Sequence, residues 1–406
     1  MIATLDIRES EMTPVFLHKL AQLGDFYVGF LTAITDLSSD LHSDFQIPSE
    51  DLAFIKAFFD QIKTGNFALV NTAENLDHLS LVISKAIFIG SVIGNISNTY
   101  IFRHKTIDDR KISIINYHLP QEVRKKIQNF HSHINHFFTG YYRTLFLDTY
   151  SGRNFSENVC GFIAGKSYLD HAKAHMHAKT IISIDIKRFY DSIKLKNILN
   201  SQLFRGAFTT SASLHNVSDE NPVVEGMITL CSSIMFSMAN YMTHNGIVPT
   251  GAHYSPSFSN FIFARIDAQI INIVKSVNPN IAYTRYADDI AISTPVLSIN
   301  GNYVIDMTLI RQIETVVNSH TFYLKYEKTK IMGPKEKKVI AGVIIDQSDM
   351  AMPKLSIGSA RKLELKNQMA GRKMSELSAS EKGTLNWVHQ VNESQFEFII
   401  SEMISE

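Results

Sequence analysis

Tyr283-Thr-Arg-Tyr-Ala-Asp-Asp-Ile-Ala-Ile-Ser293 sets two adjacent acids, Asp288 and Asp289, between two short runs of strand-forming residues. Such runs on either side of a polar pair predict a tight β-hairpin with the acids at its tip. Two like charges there raise the local energy unless a cation sits on them, although an Asp pair in a solvated turn is also an ordinary turn sequence. The string is only suggestive by itself.

A second acid-bearing stretch lies upstream, Thr180-Ile-Ile-Ser-Ile-Asp-Ile-Lys-Arg-Phe-Tyr-Asp-Ser-Ile193. It reads as an apolar strand running into Asp185 and then an aromatic pair. A carboxylate at the end of a buried strand is costly unless it is paired or bound to metal, so Asp185 is the functional acid. Asp191 opens a short helix and reads as an N-cap or first-turn charge. Asp185, Asp288 and Asp289 together would form an all-oxygen site suited to Mg2+, with Mn2+ as an alternative. Two such ions about 4 Å apart activate a 3′-hydroxyl and stabilise a leaving pyrophosphate. The expected reaction is nucleotidyl transfer.

The rest of the chain supports an α+β plan. Pro14 to Leu37 and Ser49 to Ile62 repeat apolar residues at helical spacing, and from Ile101 onward short strand-like runs alternate with helical stretches. The runs are Lys111–Ile115, Thr180–Asp185, Ile290–Ser293 and Lys338–Ile345. After Asp346 the pattern turns helical again, at Ile357–Met369, Ser380–Val391 and Gln395–Met403. Trp387, the only tryptophan, reads as a core anchor there.

Composition is that of a globular protein, 45% hydrophobic and 19% charged over 406 residues, long enough for several subdomains. Formal net charge is zero, yet residues 1–100 carry 5 Lys/Arg against 12 Asp/Glu and residues 101–198 carry 16 against 8. A basic middle segment of that kind can neutralise phosphates, and its plainer reading is a solvated surface. Cys160 and Cys231 give neither a disulfide framework nor a zinc spacing. The N-terminus lacks the basic-then-apolar order of a signal peptide. The longest apolar stretch, Leu79 to Ile96, is broken by Ser84, Lys85, Ser91 and Asn95, so it reads as a buried helix rather than a membrane span. A cytoplasmic protein with no membrane partner is expected.

In order and spacing these residues resemble the motifs of reverse transcriptases over roughly residues 101–405, in particular the bacterial retron type and its relatives among phage-defence enzymes. Arg110-Lys-Ile112 resembles the basic finger motif. Gly161-Phe-Ile-Ala-Gly-Lys-Ser167, with Ala172 and His175, resembles the retron-like approach to the first catalytic strand. Asp185 to Ile193 is similar to motif A, Gly246 to Asn260 to motif B, and Tyr286-Ala-Asp-Asp289 to motif C. Leu324 to Lys330 is similar to motif D, and Ala341-Gly-Val-Ile344 to the primer-grip hairpin.

The resemblance implies a right-hand polymerase: an N-terminal helical extension (1–100), fingers (101–180), a palm with an antiparallel sheet (181–350, with a finger insertion at about 200–245) and a helical thumb (351–406). It implies Asp185, Asp288 and Asp289 as metal ligands. Lys328 would stabilise or protonate the pyrophosphate. The deoxynucleotide side would comprise Arg110, Ile186, Tyr190, Gly251, Ser255 and Pro256, with Lys105 a weaker candidate beside Arg110. Tyr190 would place a ring where a 2′-hydroxyl clashes, and Gly251 with Ser255-Pro256 would supply a close, rigid backbone for the templating pair. Two departures stand out: Thr250 occupies a position commonly held by Gln, and Phe204 to Asn240 is longer than in compact retron enzymes.

His171, His175 and His177 lack a Cys or carboxylate to complete a zinc set and read as helix packing or phosphate contacts. His118, His131, His133 and His136 read as surface or nucleic-acid-facing residues. Gly161 to Ser167 lacks the spacing of a phosphate loop.

The expected function is RNA-directed DNA synthesis from a dedicated non-coding RNA in antiphage defence, with an RNA template, dNTPs and a DNA product as partners. The runner-up is a retron enzyme making RNA-linked DNA. Two further readings are a catalytically idle RNA-binding scaffold and an RNA-dependent RNA polymerase.

Overall fold

The computed structural model describes residues 25, 27–37, 40, 47–63, 73–96, 98, 101–107, 110–147, 155–199, 236–299 and 302–404. The start of the first expected helix and residues 204–235 of the expected insertion lie outside them. The chain divides into two compact units, each assembled from two segments: residues 1–142 with 188–265, and residues 143–187 with 266–406.

In the first unit, residues 27–37 are helical, followed by helices Ser49–Lys63 and Ala73–Ile96. The second of these contains the longest apolar stretch. It buries Val82, Ile89, Ile93 and Ile96 while Leu81 and Phe88 stay exposed, so it packs on one face. Among the described residues no helix is long and apolar enough to cross a membrane. Strand β1 (Phe102–Ile107) pairs antiparallel with β2 (Arg110–Ile115), and helix Gln121–Leu147 follows.

The core of this unit is aromatic. Phe30 packs edge-on to Tyr241 and against Phe130, and Phe138 meets Phe258 and Phe261. His131 sits inside this cluster, 1% exposed, its Nε2 3.1 Å from the Tyr241 hydroxyl. The expectation that His131 faces solvent or nucleic acid is therefore corrected. His131, Ile127, Ile134 and Phe138 fall on the buried stripe of their helix, whereas His133 and His136 are exposed.

The second unit is built on a four-stranded antiparallel sheet. Strand β3 (Thr180–Asp185) lies beside β5 (Asp289–Thr294) on one edge and β6 (Lys330–Met332) on the other, and β4 (Ala282–Tyr286) pairs with β5. The expected single run Lys338–Ile345 is two strands, β7 (Lys338–Ile340) and β8 (Val343–Asp346). The chain reverses at Ala341-Gly342, whose φ values of 47° and 79° are those of a tight hairpin turn. Strand β9 (Lys354–Ser356) completes a second, three-stranded sheet.

Helices Ser359–Met369, Ala379–Val391 and Glu393–Ile400 close the chain near the expected bounds. Their starts are written in the sequence. Ser378 and Glu381 form a reciprocal capping box, and Asn392 caps the last helix through Gln395 N–H. One hydrophobic cluster joins Ile181 and Ala291 of the first sheet, Val343 and Leu355 of the second, and Leu365, Leu385 and Val388 of the helices. Trp387 packs half-buried against it, as an anchor should.

Candidate active site

The register of the central sheet decides where the acids go. Asp185, the last residue of β3, lies directly opposite Asp289, the first residue of β5. Tyr286 faces Asp289 from the other side, leaving Ala287 and Asp288 as the two-residue turn between β4 and β5. The expected hairpin is present, with one acid in the turn and the other at the strand start. Ala287 adopts a left-handed φ of 54°. Backbone bonds lock the three acids together: Ile186 N–H donates to Asp288 O at 3.1 Å, and Lys325 N–H donates to Asp185 O at 2.8 Å.

That second bond attaches the segment carrying Lys328. Ile186 bridges Leu324, Lys187 N–H donates to Tyr323 O, and the chain then turns at Lys325–Lys328. Lys328 Nζ donates to Asp185 Oδ2 at 3.1 Å. The Asp288 carboxyl is raised above the usual carboxylate range, first by burial and further by the charges of Asp185 and Asp289, while its own backbone bond and Lys328 work the other way. Among the described residues no three His, Cys, Asp or Glu side chains are already gathered closely enough to hold a metal ion. Three carboxylates without a counter-ion repel, and here Asp185 takes its cation from Lys328. The donor set, all hard oxygen and electrostatically burdened, fits Mg2+ or Mn2+ in chemistry.

Two supports of the turn went unread in the sequence. Arg285, fully buried in β4, donates from Nε and Nη2 to the two oxygens of buried Asp267, each at 2.8 Å. Its Nη1 donates to Ala287 O at 3.1 Å, holding the turn one residue before Asp288. The only sequence signal was a charged arginine inside a short strand-forming run. Gly161 is the second: a Cβ there would stand 2.8 Å from Ala287 N, so the Gly161-Phe-Ile motif is the seat of the acidic hairpin. Cys160 N–H donates to Arg285 O alongside.

The nucleotide-side candidates are placed differently. Ile186 belongs to the same unit as the acids, with its side chain buried and its N–H committed to the turn. Arg110, Tyr190, Gly251, Ser255 and Pro256 fall in the other unit. Arg110 opens β2, and its side chain lies outside the described residues. Tyr190 is half-buried against Phe189 in the short helix Phe189–Ser192, where Asp191 is a first-turn charge and Arg188 stands at the N-cap. Ser255 and Pro256 start the helix Ser255–Val277, the Ser255 hydroxyl donating to Pro249 O at 2.7 Å. Gly251 and Thr250 are seated on β2: Ser113 N–H donates to Thr250 O at 2.9 Å.

His171 and His175 are buried and hydrogen-bonded to hydroxyls of β4 and β5, so helix packing is their observed role, whereas His177 is exposed.

The family described as "Reverse transcriptase (RNA-dependent DNA polymerase)" matches residues 125–345. The retron Ec86 reverse transcriptase of Escherichia coli is 26% identical over 54% of this chain and 57% of its own length. The retron Mx162 reverse transcriptase of Myxococcus xanthus is 24% identical over 48% of this chain and 39% of its own. The chain thus spans about half the length of these relatives or less. Among solved structures, telomerase from Candida albicans, in complex with a TWJ fragment of telomeric RNA, aligns at 11% identity with a TM-score of 0.41, over 77% of this chain and 57% of that one.

Proposed function

We propose, from the premise that this chain belongs to the reverse transcriptase (RNA-dependent DNA polymerase) family, that it synthesises DNA on an RNA template at Asp185, Asp288 and Asp289. The observation that carries this is the β3–β5 register, which sets Asp185 opposite Asp289 with Asp288 in the adjoining turn. Those three carboxylates would hold two Mg2+ ions, or Mn2+. When bound, the ions supply activation of the primer 3′-hydroxyl and stabilisation of the pyrophosphate charge. Lys328, whose ammonium reaches Asp185, is the chain's own cation for the leaving group. Tyr190, Gly251, Ser255, Pro256, Arg110 and Ile186 are assigned to the deoxynucleotide by their sequence positions.

The template is proposed to be a non-coding RNA. Similarity to retron enzymes favours a second reading, in which the product is DNA joined to that RNA. A role in antiphage defence is carried by the sequence resemblance alone.

The test is deoxynucleotide incorporation by purified protein with Mg2+ on an RNA template, beside Asp288→Ala. Wild-type synthesis lost in the variant is expected; equal incorporation by both overturns the site, and none by either leaves the idle-scaffold reading standing. Sequencing the nucleic acid that co-purifies separates free DNA from RNA-linked DNA.

A further inference from the structure

Behind the catalytic hairpin a row of buried polar side chains runs toward the acids. His175, 1% exposed, has Nδ1 2.6 Å from Ser293 Oγ and Nε2 2.6 Å from Thr284 Oγ1. The same Thr284 oxygen stands 2.6 Å from His171 Nδ1. His171 is fully buried, and its Nε2 has no hydrogen-bond partner. That nitrogen lies 3.9 Å from Asp289 Oδ2. All five residues belong to one unit.

We infer that His171, oriented by Thr284 and His175, is a positioning residue that aims an Nε2–H at Asp289 and sets the direction of that carboxylate for metal binding. This rests on the reading of the acids as a metal site.

Proton bookkeeping supports it. Burial pushes the His175 ring down to about 3, so it is neutral with one N–H to give. Thr284 likewise has one proton to share between two rings. For one proton on each ring, the row can run in two directions. In one, His171 Nδ1 donates to Thr284 and Nε2 turns a bare lone pair to a carboxylate, which is repulsive. In the other, Ser293 donates to His175 Nδ1, His175 Nε2–H to Thr284, Thr284 to His171 Nδ1, and His171 Nε2–H points at Asp289. Both directions make all three hydrogen bonds of the row, and only the second gives the carboxylate a donor. At 3.9 Å the last contact is longer than a hydrogen bond and closes with a small shift of the half-exposed Asp289 side chain. Groups that orient a metal ligand in this manner change metal affinity by about 10- to 100-fold when removed.

The experiment is Mn2+ binding to the full chain, followed by loss of the free-ion electron paramagnetic resonance signal, with nitrogen-15 spectra of the histidine rings. His171→Asn keeps a polar atom near the Nδ1 position and does not reach Asp289; His171→Gln reaches it. Thr284→Val cuts the row and leaves His171 in place, so the test survives a His171 variant that fails to fold. Mn2+ affinity should fall about 10-fold in His171→Asn and in Thr284→Val. His171→Gln should hold near wild type, and His171 and His175 should both be Nε2–H tautomers. Unchanged affinity in both cutting variants, or an Nδ1–H tautomer at His171, overturns the inference while Asp288→Ala still abolishes binding. Wild type that binds Mn2+ no better than Asp288→Ala overturns the metal-site reading itself.

Discussion

Lys328 Nζ lies 3.1 Å from Asp185 Oδ2, so the carboxylate that ends the central strand is matched by an ammonium three residues past the backbone contact joining Lys325 to Asp185. The lysine side chain is 49% exposed. A pair that open to solvent adds only about 0.2–1 kcal/mol to stability.

Its removal is therefore expected to affect turnover and spare the fold. Lys328→Met should slow nucleotide incorporation about 100-fold, the lower range for losing a positioned proton donor, with the melting temperature nearly unchanged. Single-turnover kinetics beside a thermal melt check this. A variant as fast as wild type removes Lys328 from the chemistry.

The buried Arg285–Asp267 pair gives the opposite expectation. Arg285→Met leaves the Asp267 carboxylate, 1% exposed, with the Tyr283 hydroxyl as a donor but without its cation, which costs about 3–5 kcal/mol. Adding Asp267→Leu should recover much of that loss, because an apolar pair replaces an unpaired charge. Activity should stay low in the double variant, since the Nη1 bond to Ala287 O that steadies the turn is still missing. Urea unfolding and incorporation assays together read both halves; a double variant no more stable than Arg285→Met means the cost is not electrostatic.

Stability should fall as solution turns acid, and the sign follows from two histidines. Burial holds His131 and His175 down at about 3, whereas an unfolded imidazole titrates near 6.5. Below that value the unfolded chain takes up protons that the folded one refuses, so stability is full above about pH 6.5 and is lost as pH drops toward 3. Glu381, held at about 2 first by Arg372, adds to the loss only below the ordinary carboxylate range. The raised Asp288 carboxyl works in the opposite sense. Comparing wild type with His131→Gln isolates the imidazole: the urea midpoint should fall less between pH 7 and pH 5 in the variant. Equal slopes mean His131 does not govern that window.

How much of this was legible depended on whether the pattern was local. Strand β3, the acidic hairpin and the closing helices are each set by neighbours in sequence, through apolar runs and through Ser378–Glu381 and Asn392 caps. By composition the Lys338–Ile345 run reads as one strand, because an apolar stretch hides its turn when the reversing residues are Ala341 and Gly342, and only the resemblance to the primer-grip hairpin marked a reversal there. His131 misled because it shares a sequence neighbourhood with exposed His133 and His136, and only helical phase separates them. Arg285–Asp267 and the Ser293–His175–Thr284–His171 row were out of reach, since their partners are brought together by strand pairing and a long helix. So was the assembly of each compact unit from two distant segments.

At Gly251 the structure supplies a reason for glycine that the sequence reading did not give. Its glycine character was read as room for a base pair, yet the chain itself already claims that room. At φ 109°, a Cβ would stand 2.9 Å from Ser113 O and 3.0 Å from Ile112 Cγ2. The preceding carbonyl, Thr250 O, accepts from Ser113 N–H, so the turn is fastened to β2 beside that close approach. Gly251→Ala is then expected to lose about 1–3 kcal/mol from strain alone, seen as a drop of several degrees in melting temperature. Ile112→Ala in that background should return only part of it, because the closer contact is a backbone oxygen that cannot move away without opening the Thr250–Ser113 bond. Nucleotide KM decides between the two roles. A raised KM beyond what the melt explains keeps Gly251 beside the substrate, and an unchanged KM in a destabilised variant makes it a residue that docks β2.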